Sequence, residues 1–337
     1  MSIEIVFYPK SATREQLQEH LLSLGFRASS HLWNWPEGSL HFYWFETDAY
    51  KSFDGVEATI FPISTETRAK YESDEWALHT RTRVAASPFD LEQQNTVVRT
   101  ARKKFGGIFT NDWHGKNRYT PVDKDERGPI GRGIFISYEY VTDKLGAVKY
   151  ALPQPMIQNF PDGDNLGNIM AQNDPSRVLY NALVPFAVAA LEYFFSQTFK
   201  IFLHYDEKAQ KRLQEQTRKI EMQDVMAISA GQKTIEDVIA DWYSFQNIQS
   251  ISNAFKDWFN IDLWKILRRR KKVGQRILLL EKQFDNIIQF RHGLIHRFEF
   301  DLDLSREQIT EVIDVALILV EAFIDYLEND KGIRIKG

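Results

Sequence analysis

Apolar and polar positions alternate over residues 2–8 (SIEIVFY), the period-two pattern of a strand with one buried face. Leu17, Leu21 and Leu24 then recur at helical spacing and predict an amphipathic helix over 13–24, closed by Gly25. The aromatic and β-branched residues of LHFYWFE (40–46) and VEATIF (56–61) suit two further strands, with turns at 36–38 and at Asp54 and Gly55. WALHTRTRV (76–84) predicts another strand. Pro88 to Phe105 predicts a helix, with proline at its start and Gly106 and Gly107 at its end. From 110 to 133 the chain is rich in Asn, Asp, Gly and charge, which favours loop, before GIFISYEY (133–140) resumes a strand-like pattern.

Residues 151–176 hold four of the 11 prolines and several Gly, Asn and Asp, the composition of a linker or an inter-domain wrap. No proline follows Phe186, and long helical patterns take over. They predict helices over 176–204 (bent at Pro185), 207–222, 234–259, 263–291 (with a break near Gly274) and 305–328. Short connections between them imply an up-down bundle. The expected fold is α+β: an N-terminal α/β module with a small sheet over 1–165, a linker at 166–176, and an all-helical bundle of four or five helices over 177–330.

Length and composition sharpen this division. At 337 residues the chain is long enough for two domains. Lys plus Arg number 42 against 46 Asp plus Glu, a net charge of -4, so any phosphate-binding surface must be local. Zero cysteines exclude disulfides, thiolate metal sites and cysteine nucleophiles. The N-terminal residues lack the apolar core and cleavage site of a signal peptide. The apolar stretches ALVPFAVAALEYFF and VALILVEAFIDYL are interrupted by Glu192 and Glu321 and read as buried helices, short of a bilayer span of about 20 residues. A cytoplasmic protein without a membrane partner is the expectation.

The densest chemistry lies in FDNIIQFRHGLIHRFEF (284–300), where Arg291, His292, His296 and Arg297 stand beside Ile287, Ile288, Leu294 and Ile295. At about 100° per helical residue, His292 and His296 share a face, whereas Arg291 and His296 lie about 140° apart. The latter two can converge only if the helix ends or bends at Gly293, or if they meet across a symmetry axis. Two imidazoles are too few to define a metal site, and no HExxH arrangement is present. The plainer alternative is a cationic cluster that complements the helix dipole or pairs with Glu299 and Asp301.

RHGLIH, Arg291 through His296, resembles the Arg-x4-His signature of the HEPN superfamily, a group of small helical domains. A polar residue directly after the arginine, here His292, is usual in that family, and ALEYFFSQTF (190–199) resembles its first helix. The resemblance covers roughly 175–330. It implies a metal-independent endoribonuclease that acts as a homodimer and needs no cofactor. In that reading Arg291 holds the scissile phosphate of an RNA substrate, His296 moves protons, and His292 assists. The products would be 2',3'-cyclic phosphate and 5'-hydroxyl ends. The resemblance also implies a toxin or an abortive-infection effector in antiviral defence, with an antitoxin or a phage-derived trigger as a further partner. Nothing in 1–165 resembles a known family.

Other cations are candidates for positioning the substrate. Arg268, Arg269, Arg270, Lys271 and Lys272 form a run, followed by Arg276; with Arg297 they supply charge for a phosphate backbone. In the first half, His114, Lys116 and Arg118 form a candidate ligand site downstream of Arg99 and Arg102. GPIGRG (128–133) lacks phosphate-loop spacing. Two rival functions stand beside the nuclease: a non-catalytic dimerisation or RNA-binding protein, and a nucleotide-binding or transferase-like enzyme centred on the first half.

Overall fold

Thr13 caps the first helix with its hydroxyl, and Gln16 reaches back to the Thr13 backbone, so two N–H groups are paired where the chain passes from β1 (Ser2–Tyr8) into α1 (Arg14–Ser23). β2 (Arg27–Ala28), β3 (Leu40–Trp44) and β4 (Val56–Pro62) follow, then α2 (Thr65–Tyr71), a short helix the aromatic pattern around it concealed. β5 (Trp76–Arg83), α3 (Pro88–Phe105), β6 (Ile108–Asn111) and β7 (Gly115–Lys116) complete the first half. The computed structural model describes residues 1–30, 34–155, 174–273, 276–301 and 303–336. The chain divides into two units, Met1–Glu126 and Arg127–Gly337. Most of the expected linker at 166–176 lies outside the described residues.

In the first unit seven strands form one sheet in the order β2-β3-β4-β5-β1-β6-β7, every pair antiparallel. The alternation of β1 sends Ile5 and Phe7 to the face that meets Leu17 and Leu21 of α1 and Val97, Val98 and Ala101 of α3. Each of the larger side chains, fully buried, contributes about 1.5–3 kcal/mol. Both helices lie against this face, and the alternate residues of the strands point the other way. Asp90 anchors the start of α3: one of its carboxylate oxygens accepts the N–H groups of Ser87, Phe53 and Asp54.

The second unit starts with α4 (Pro129–Ala151), which occupies the segment whose alternation predicted a strand. The buried residues Ile134, Ser137, Val141 and Leu145 reveal helical spacing that an eight-residue window cannot separate from period two. GPIGRG opens this helix, and Gly131 lies so close to the backbone carbonyl of Arg334 that a Cβ there would fall 1.9 Å from the oxygen. α5 (Pro175–Tyr205) runs 31 residues through Pro185. It is thus long and apolar enough to cross a membrane by length and composition, which corrects the shorter estimate from sequence; less than half of its most apolar stretch is buried.

Short helices follow: α6 (Glu207–Gln214), α7 (Met222–Ser229), α8 (Ile235–Ala240), α9 (Ile248–Phe259) and α10 (Leu263–Leu267). The segments expected as single helices over 207–222 and 234–259 are therefore broken. The predicted helix over 263–291 is interrupted by a hairpin, β8 (Arg270–Val273) paired with β9 (Arg276–Leu279), before α11 (Leu280–His292). Its cations face carboxylates on neighbouring helices, which favours the extended path over a solvated helical one. α12 (Arg306–Lys331), with a Ser305–Gln308 capping box, closes the bundle. Its core is aromatic: Phe195 and Phe199 of α5 meet Phe255 of α9, Phe194 meets Phe323 of α12, and Phe284 of α11 and Phe323 pack on Phe195. The unit is helical apart from the hairpin, and the chain as a whole is α+β.

Candidate active site

α11 ends where its chemistry begins. Phe284 and Ile287 are buried on its core face, Arg291 is half-buried, and His292 emerges into solvent. At Gly293 the helix widens into a π-turn, Gly293–Arg297, in which the Phe298 N–H reaches back five residues to the Gly293 carbonyl. Each residue of a wider turn advances by less than 100° around the axis. His296 therefore sits nearer the side of Arg291 than a regular helix allows, and the imidazole rings of His292 and His296 lie 4.6 Å apart.

Two features stop the turn. Phe298 takes a left-handed conformation at φ 55, and the Glu299 N–H also closes on the Gly293 carbonyl at 3.2 Å, in the manner of a helix C-terminus that usually employs glycine. The chain after it is held to α5 by Asn181, whose buried side chain donates to the Asp301 carbonyl at 2.8 Å and accepts from the Asp301 N–H at 2.9 Å. Arg177 adds an ion pair to Asp303 at 3.5 Å. The turn is thus fixed at both ends by packing and hydrogen bonds, while its middle faces solvent.

The four polar side chains of the motif region differ in their partners. Arg297 pairs with Glu299 at 3.3 Å, the structural role that a helix-end cation can take. Arg291, His292 and His296 have no hydrogen bond or ion pair among the described residues. A guanidinium and two imidazoles left open on a fixed turn can hold a phosphate and exchange protons with it. Around them lies exposed apolar surface: Ile295, Phe298 and Phe300 on the motif side, and Leu179, Phe186 and Tyr193 on α5. The last three recur every seven residues along one helix, the spacing of a seam.

The basic run does not form a free patch. Arg268 pairs with Glu281 and Arg269 with Asp330; Lys271 pairs with Asp325 and Arg276 with Glu311. Arg270 and Lys272 alone of this group have no such pair among the described residues. In the first unit His114 lies at the turn between β6 and β7, Lys116 is in β7 and Arg118 follows it. They share one edge of the sheet, with Lys116 and Arg118 exposed. Among the described residues no group of three His, Asp or Glu side chains is arranged to hold a metal ion.

The open face of the N-terminal sheet carries a cluster that strand alternation hinted at only in HTRTR (79–83). His79 Nε2 meets Glu4 at 3.0 Å, Arg81 spans Glu4 and Glu57, and Trp35 lies 5.3 Å from the His79 ring. Together with Thr59 and Phe61 these residues line a cavity of about 490 Å³. Burial pushes the His79 imidazole below its ordinary pKa, against the opposing pull of Glu4. His31 to Trp33 lie outside the described residues.

A family model described as RiboL-PSP-HEPN matches residues 157–329, just over half of the chain. Neither a curated protein nor a solved structure matches it.

Proposed function

Because the chain belongs to the RiboL-PSP-HEPN family, whose domain suits nuclease or other RNA-related activity, we propose that it is a metal-independent endoribonuclease centred on Arg291, His292 and His296. The observation that carries this reading is the contrast within the motif region: Arg297 is neutralised by Glu299, whereas the other three side chains stand unpaired on a fixed turn.

In the reaction an imidazole removes the proton of a ribose 2'-hydroxyl, and that oxygen attacks the adjacent phosphorus. The bond to the 5'-oxygen breaks, and a second imidazole returns a proton to it. The products are a 2',3'-cyclic phosphate and a 5'-hydroxyl. Arg291 neutralises charge on the non-bridging oxygens, bidentately where geometry allows. Attacking and leaving oxygens stand roughly in line on opposite sides of phosphorus. His292 and His296 of one chain are 4.6 Å apart and approach from one side, so a second copy supplies the opposite group. The exposed stripe of Leu179, Phe186 and Tyr193, with Phe298 and Phe300, offers the apolar surface such a homodimer needs. In this reading the protein is a growth-arresting toxin or an abortive-infection effector, restrained by an antitoxin or awakened by a phage-derived trigger.

Induction of the wild-type chain and of His296→Ala in a bacterial host, followed by mapping of RNA ends, tests the assignment. Wild type should yield new 5'-hydroxyl and cyclic-phosphate ends and halt growth, and the variant should lose about a hundredfold or more of the cleavage. Cutting that survives in His296→Ala, or that chelators abolish, counts against the mechanism. A growth effect without new RNA ends would favour the non-catalytic RNA-binding alternative.

A further inference from the structure

At the end of α5 remote from the motif, α6, α9 and the segment after α12 enclose the sides of a groove of about 760 Å³, within the usual range for a small-molecule pocket. Phe284 stacks near Phe195 while Asn181 holds Asp301, so the chain from α11 onward runs antiparallel to α5 and the motif lies toward the α5 N-terminus. The groove starts at Phe202 and Asp206, about 30 Å away at 1.5 Å per helical residue.

Two properties distinguish it. Its rim carries Lys208, Lys211, Arg212 and Lys256, all exposed and none in an ion pair with a described carboxylate. This is the reverse of the basic run, where four cations are already paired. Of the two acids that line the groove, Asp206 is turned away to cap α6 through the Ala209 N–H at 2.8 Å, and Glu215 is the other. Lys331, also on the rim, donates to the Asn260 carbonyl at 2.9 Å. The second property is an apolar floor, in which Ile130, Phe259 and Ile333 remain half-buried rather than sealed. Phe259 is braced edge-on by Phe199 at 5.2 Å, so its ring is held in place for stacking.

We infer that this groove binds a nucleoside phosphate unit, with the base on the Phe259 floor and the phosphates on the Lys208, Lys211, Arg212 and Lys256 rim. An isolated carboxylate would leave most of the rim charge uncompensated, and a bare polyphosphate would leave the floor empty. Base stacking on an aromatic ring together with charge on a phosphate chain uses both. The unit is either a free nucleotide or one link of an RNA strand that extends past the cleavage site. The site stands apart from the motif and does not require the chain to cut RNA.

The test uses the full chain carrying His296→Ala, with two fluorescent probes: labelled ATP and a labelled 12-nucleotide RNA. Binding is measured with and without two paired changes on the groove rim, Lys208→Ala/Lys211→Ala and Arg212→Ala/Lys256→Ala, all surface changes, each compared with Arg270→Ala/Lys272→Ala as a hairpin control that removes the same two charges. A tenfold or greater loss of ATP binding in the groove variants alone supports a free nucleotide. The same loss confined to the RNA probe, with a shallower salt dependence, supports an RNA strand. The proposal is overturned if neither probe binds, if the groove variants bind both as well as their parent, or if the hairpin control loses as much. Competition by inorganic tripolyphosphate as effective as that by ATP would overturn the role of the floor. These readouts stay independent of cleavage, so failure of the ribonuclease reading leaves them interpretable.

Discussion

The conformation of single residues decides where the open side chains stand. Phe298 holds φ 55 and is 79 % exposed, a combination that costs stability in two ways, through backbone strain and through unburied aromatic surface. Phe298→Gly relieves the strain and should raise the unfolding free energy of the helical unit by about 1 kcal/mol, measured by denaturant titration. The same change removes part of the apolar surface next to the motif, so it should weaken self-association. In the N-terminal unit, His79 of β5 and His20 of α1 are both depressed below their ordinary value, each chiefly by burial. An unfolded chain then binds protons near pH 6.5 that the folded one refuses. The stability these neutral rings contribute is fully present above pH 6.5 and is lost as pH falls through the lowered folded values. Urea midpoints for the first unit should drop on acidification from about pH 7.5 to 5.5, and His79→Gln should flatten that dependence; an NMR titration placing the His79 ring above 6.5 would contradict it.

Elements were readable in the sequence where one physical signal dominated. β1, β4 and α3 follow from alternation, from β-branched residues and from Pro88 and Gly106 at the helix ends, and Arg291 to His296 stood out by residue type alone. Where signals competed, the reading failed. Ile134, Phe135 and Ile136 look like a strand until Val141 and Leu145 extend the helical row. Arg268 to Lys272 have helix-forming side chains, yet Asp330 and Asp325 on α12 pair with Arg269 and Lys271, and Glu311 pairs with Arg276, and the nearest of those partners lies 35 positions away. The π-turn had no local signal beyond Gly293, because it depends on Asn181 fastening the chain that follows it. Asn181→Ala removes both hydrogen bonds to the Asp301 backbone and should cost about 2 kcal/mol. RNA cleavage should fall with it although no motif residue is altered; retention of full activity in folded variant would mean the clamp is not what positions His296.

At the scale of the whole molecule, the first unit holds an antiparallel sheet with one covered face, and the second holds a bundle with an aromatic core and an exposed seam. Each carries its own core, so calorimetry of the full chain should resolve two transitions rather than one. If the protein is the dimeric ribonuclease proposed above, Phe186→Glu on the seam should shift sedimentation from dimer to monomer and remove cleavage with the motif intact. Under the proposed dimeric mechanism, the 4.6 Å separation of His292 and His296 has a consequence for dosage. If one chain can offer protons from one side only, a lone copy is inert, and below the dissociation constant the cutting rate grows with the square of abundance. Doubling expression then quadruples damage, while a modest drop in copy number silences it, so the chain behaves as a threshold device before any inhibitor is added.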